Sequence, residues 1–177
     1  MFDSNTILRL HLAGLSVIAV ILATTPVQAL PGQNVNSVIK WAKTKPQLPA
    51  LKYNSEFNNG YDGTKNNLYF YVSVPSENGV VKKEGITVSG DTSIKFAVNN
   101  AKGVKLIQDI YGSRVSNDFR SAKFISKVGR DSFYQGKNYG YITAQVQNGT
   151  NIQIISLNNL QDEIKNAKFC QTNQCDV

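Results

Sequence analysis

A chain of 177 residues, 41% hydrophobic and 18% charged, is long enough to bury a domain-sized core and too apolar for a disordered segment. Its net charge of +7 favours anionic partners. Its one histidine, His11, falls in a segment with the pattern of a leader, and without it the remainder cannot build a Ser-His-Asp triad, a Cys-His dyad or a His-ligated zinc site. Carboxylate-pair hydrolysis, Ser-Lys chemistry and carboxylate-bound calcium stay open.

At the start of the chain, Arg9 and His11 precede a 12-residue apolar run, Leu12 to Ala23. A membrane-spanning helix needs roughly 20 apolar residues, so the run matches the core of a signal peptide. Pro26 breaks the helix, and Val27 and Ala29 occupy the two positions that a signal peptidase reads. Cleavage after Ala29 predicts residues 1–29 as signal peptide and residues 30–177 as a single exported domain, secreted or periplasmic, with no transmembrane helix in the mature chain. An uncleaved run would instead be an N-terminal anchor. Cleavage leaves the charge at +7, because Asp3 departs with Arg9.

Downstream, residues 36–43 predict a short helix capped by Asn34 or Asn36, with Val38, Ile39 and Ala42 on one face and Trp41 as a packing residue. The proline-bearing run 44–49 ends it. Residues 51–57 alternate as a strand, and residues 58–65 form a turn cluster in which Asp62-Gly63 is the hairpin signal. Residues 68–74 give the clearest strand, and residues 85–89 a further short one. Apolar residues at helical spacing from Ile94 to Tyr111 predict a helix that starts between Thr92 and Asn100 and ends at Gly112. A short helix over 115–122, capped by Ser116 or Asn117, follows. Strands are then expected over 123–128, 138–147 and 151–157, the last two joined at Asn148-Gly149-Thr150. Asn158 or Asn159 would cap a terminal helix, with Asp162 and Glu163 toward its start and Lys165 and Lys168 toward its end, as the helix dipole prefers.

These elements define an α+β class: mostly antiparallel sheet with about three helices. An offset of 71 residues aligns Lys52, Tyr53, Ser55 and Phe57 with Lys123, Phe124, Ser126 and Val128, and Asn67, Phe70 and Tyr71 with Asn138, Tyr141 and Ile142. The pattern allows two related halves, each a helix plus a meander. Such a sheet offers surface rather than a cleft.

The two cysteines, Cys170 and Cys175, are spaced for a small disulfide loop in an oxidising compartment. A two-cysteine metal half-site would need further soft ligands. The segment Glu56 to Asn67 is oxygen-rich, but its two carboxylates do not follow a calcium loop, and no metal site is expected. No phosphate-binding glycine fingerprint occurs, so neither a nucleotide nor another cofactor is expected. Phe133, Tyr134, Lys137, Tyr139 and Tyr141 suit a cross-strand aromatic ladder, or stacking on rings of a ligand.

Charge is uneven. Nine basic residues lie between Lys95 and Lys137 against Asp109, Asp118 and Asp131. Arg114, Arg120, Lys123, Lys127 and Arg130 crowd into 17 residues and are the binding candidates. The expected function is that of an exported, non-enzymatic interaction module. Its basic face would meet an acidic protein, an anionic glycan or the cell-envelope surface. Alternatives are an envelope hydrolase using Glu56 and Asp62 as acid and base, and a structural envelope protein.

Overall fold

The computed structural model describes residues 30–56, 60–74, 78–90 and 96–173; the leader segment and Cys175 lie outside them. Asn34 starts helix α1 (Val35–Ala42) by accepting the Asn36 N–H at 2.9 Å. Strands β1 (Lys52–Asn54), β2 (Gly60–Lys65), β3 (Leu68–Ser73) and β4 (Lys83–Ser89) follow. Helix α2 (Ala101–Tyr111) is capped by Asn100 and ends at Gly112, whose φ of 84° favours glycine. Helix α3 (Ser113–Arg120) leads into β5 (Lys123–Val128), β6 (Asp131–Gln135), β7 (Tyr139–Val146), β8 (Gly149–Ser156) and helix α4 (Leu157–Thr172).

All eight strands join one antiparallel sheet in the order β1-β2-β3-β4-β8-β7-β6-β5. Side-chain alternation divides it between two cores. On one face Phe70, Val72, Ile152, Ile154 and Tyr141 meet Trp41, Ile107, Tyr111, Val115 and Phe119 of α1–α3. Trp41 stacks on Tyr111 at 5.7 Å, so it is a packing residue as its surroundings in sequence predict. On the other face Val128, Phe133, Ile142 and Ile155 meet Leu160 and Ile164 of α4. Six such side chains contribute about 2 kcal/mol each, against about 1 kcal/mol for a cap. Packing rather than capping therefore holds α4, and its N-cap Ser156 makes no side-chain cap bond.

The fold is α+β, with four helices among the described residues, the short helix expected over 115–122 spanning Ser113–Arg120. The offset of 71 residues carries the first residues of β1, β2 and β3 onto those of β5, β6 and β7. Each half is a four-stranded meander, and the two meet through their last strands, β4 and β8. The strands after the third fall out of step because residues 74–82 connect β3 to β4, whereas only residues 147–148 connect β7 to β8.

Five local expectations change, the first being the β7–β8 turn, which falls at residues 147–148 with Gly149 and Thr150 already inside β8. Asp62-Gly63 is inside β2, not at a turn, and the turn falls at Asn66 (φ 55°) and Asn67. Gly63 is small because the Ala50 carbonyl lies where a side chain would begin. β1 ends at Asn54, three residues short of the expected strand. β6, read as part of one aromatic segment, is a strand of its own, with Phe133 and Tyr134 on opposite faces. Helices α3 and α4 start earlier than the expected caps, at Ser113 after Gly112 and at Leu157 after Ser156.

Candidate functional site

The helix–strand corner from α3 to β5 carries the basic cluster. Arg114, Arg120, Lys123, Lys127 and Arg130 are all exposed, as is Lys137 on the β6–β7 turn. Among the described residues none of the six forms a salt bridge; the four that occur are Lys82–Glu163, Lys83–Glu163, Lys105–Asp109 and Lys165–Asp162. Arg114 donates to the Tyr139 hydroxyl at 3.2 Å. Arg130 lies beside half-buried Asp131, whose carboxyl burial pushes above the usual range while Arg130 and Lys83 pull it down.

The set does not lie on one plane. Lys123 pairs in register with Gln135, and Lys127 with Ser132. A bulge between Phe124 and Ser126 separates the two pairings. Following the register inward, Lys123 shares the α4 face, whereas Phe124 and Lys127 share the face of α1–α3. Lys123 and Lys137 border a shallow depression of about 340 Å³ with Ser121, Ile125, Gln135 and Gly136. Arg120 borders a different one, about 330 Å³, beside α2. Lys123 and Lys127 thus lie on opposite sides of the sheet edge, while Arg120 sits beside α2 and Arg114 reaches Tyr139 of β7. Phe124 (58% exposed) and Ile125 (40%) stand among them, two of the four exposed large apolar side chains among the described residues.

A buried carboxylate shapes this corner. Asp118, 5% exposed, reaches from α3 under the β6–β7 turn. Its Oδ1 accepts from the Lys137 N–H (2.8 Å), the Asn138 N–H (3.1 Å) and Asn138 Nδ2 (3.0 Å). Its Oδ2 accepts from the Tyr139 N–H (3.3 Å) and the Tyr141 hydroxyl (2.8 Å). Five donors on one carboxylate offset its desolvation and fix where Lys137 sits. Gly136 leaves the space for Asp118 Oδ2. Burial first, then the bond to Asp118, raises the Tyr141 phenol above its ordinary range. In sequence Asp118 is one of three acids set against the basic run; its position as a single acid on the inner stripe of a short helix is the signal that marks it as buried.

Other candidates are placed as follows. Glu56 is exposed just after β1, and its N–H donates to Asn54 Oδ1 at 3.0 Å. Asp62 Oδ2 accepts from Asn54 Nδ2 at 2.8 Å and from the Tyr69 hydroxyl at 2.9 Å. Neither acid lines any of the three depressions described in the structure. Tyr134 pairs in register with buried Tyr141 on the α1–α3 face, whereas Phe133 is buried against α4, so the aromatic segment is divided between the two cores. Cys170 lies in the last turns of α4, and its expected partner lies outside the described residues. Among the described residues no group of acids, histidines and cysteines could hold a metal, and no helix is long and apolar enough to cross a membrane.

Two polar features escaped the sequence reading. Glu84 is fully buried on β4, with Oε2 accepting from the Tyr111 hydroxyl at 3.1 Å and Oε1 lacking a partner. Burial pushes its carboxyl up to about 8, which the Tyr111 bond only partly opposes. On β8, Asn151 Nδ2 donates to Thr87 Oγ1 at 2.8 Å, while among the described residues the buried side-chain oxygens Asn151 Oδ1 and Gln153 Oε1 have no hydrogen-bond partner.

Fold and site together define an α+β protein of two joined meanders with a cationic, partly apolar sheet edge. No family model matches the chain, and neither a curated protein nor a solved structure is similar to it.

Proposed function

We propose that this chain is an exported, non-enzymatic binding module that meets an anionic partner through the edge formed by Arg114, Arg120, Lys123, Lys127 and Arg130. The observation that carries the reading is the run of exposed cations from α3 through β5 that forms no salt bridge among the described residues, on a strand that also leaves Phe124 and Ile125 exposed. An excess of exposed positive charge forms a field that attracts opposite charge, and exposed apolar groups add contact once charge has brought a partner close. The leader pattern over 1–29 supports export, and the Cys170–Cys175 spacing supports an oxidising destination.

The test is retention on a heparin-type matrix and on an immobilised acidic protein across a salt series. Binding that weakens with salt and is lost when Arg120, Lys123, Lys127 and Arg130 are all changed to Ala supports the reading. Equal retention of the variant removes this site, and no retention on either matrix removes the reading. Sequencing of natively produced protein is expected to start at Leu30; a start at Met1 in protein found inside cells with both cysteines as free thiols would remove the export assignment.

A further inference from the structure

Resting on the reading above, we infer that the partner is an extended acidic segment of another protein, added to the sheet as a ninth strand along β5. Four observations converge. First, among the described residues β5 is the last strand of the sheet and pairs only with β6, so its outer N–H and C=O groups have no strand partner there. Second, β5 is six residues long, twice the length of β1 at the opposite edge. Third, the cations flank this edge on both sides of the sheet, Lys123 toward α4 and Lys127 toward α1–α3. A flat anionic surface would engage one side. A strand projects successive side chains to opposite sides, so adjacent acids in an added strand would face both lysines. Fourth, Phe124 and Ile125 are exposed on this strand.

Edge lysines and bulges also serve to discourage strand pairing. Protection of that kind favours polar residues, and it is poorly served by a bare phenylalanine beside a bare isoleucine. What the lysines do exclude is a second copy of this chain: β5 against β5 would bring Lys123, Lys127 and Arg130 toward their counterparts. Charge therefore selects an acidic strand over self-association, while the backbone supplies strength independent of sequence.

The experiment uses the full chain and a synthetic peptide of repeating Glu-Glu-Val-Val, which places Glu on both sides of the strand. Two further peptides have the same sequence but carry N-methyl groups on alternate residues, one set for each edge of the strand. Heparin is the charge-only probe. Expected are salt-dependent binding of the parent peptide, slowed hydrogen exchange at β5 amides, and a loss of about tenfold or more in affinity for one N-methylated peptide but not the other. Lys123→Glu with Lys127→Glu should weaken the parent peptide by a similar factor. If both N-methylated peptides bind as the parent does and β5 amides stay unprotected, strand addition is overturned while the basic-edge reading stands. If neither the peptide nor heparin binds, both fall. Association of the free protein through β5, detected by concentration-dependent sedimentation and β5 protection, would overturn the choice of partner.

Discussion

Replacing Glu84 with Gln should remove a pH dependence of stability that the wild-type fold carries. Glu84 has no exposed surface, and burial raises its carboxyl from 4.5 to about 8. Between these values the folded chain holds a proton that the unfolded chain releases. The native state therefore binds more protons, and stability must fall as pH rises from about 4.5 to about 8 and then level off. Each tenfold change in proton affinity is worth about 1.4 kcal/mol, so full ionisation costs roughly 5 kcal/mol as an upper limit. That is comparable with the whole stability of many domains. Glutamine keeps the shape, still accepts from Tyr111 and has no proton to lose. The assay is urea denaturation of both proteins at pH 5.5, 7 and 8.5, below the range in which the buried tyrosines ionise. Carboxyls elsewhere act equally on both chains, so the difference isolates Glu84. It should grow in favour of Glu84→Gln by about 3 kcal/mol over that range. Parallel pH profiles for the two proteins would refute the claim that this carboxyl is buried and protonated.

Further outcomes follow from packing and from the turn that presents Lys137. Asp118→Ala leaves five donors without their acceptor and should destabilise by about 3 kcal/mol, read by thermal or urea unfolding; a change below about 0.5 kcal/mol would contradict the buried network. Gly63→Ala pushes a methyl into the Ala50 carbonyl and should cost about 2 kcal/mol by the same measurement, whereas a turn glycine with open space around it would tolerate the change far better. Reduction of a Cys170–Cys175 loop should lower stability by about 2 kcal/mol or less. Peptide mapping without reductant is expected to recover the two cysteines linked, and recovery as two free thiols would end that assignment.

The elements legible in sequence were those whose pattern and punctuation agree. β3 has an aromatic and β-branched run, α2 has an Asn cap and a glycine stop, and β5 spans the expected residues. The offset between halves was also visible, because strand starts recur with the same spacing. What stayed hidden depended on contacts distant in the chain. Gly63 resembles a turn glycine until the Ala50 carbonyl is known to approach it. Asp118 and Glu84 are ordinary acids in sequence; only folding brings Tyr141, Tyr111 and the β6–β7 turn to them. For the candidate edge, sequence supplied the basic residues but not their division between two faces, which comes from the bulge and the pairing register.

The join between the meanders also bears on how quickly the molecule can assemble. Most strand neighbours here are hairpin partners, whose loops close cheaply in entropy. The β4–β8 ladder instead unites Ser89 with Gly149 and Lys83 with Ile155, across the whole of α2 to β7. Long-range closure of that kind is the slow part of folding. Conservative truncations at Ile86 and Ile152 should therefore slow refolding, whereas truncations in the outer hairpins should chiefly accelerate unfolding.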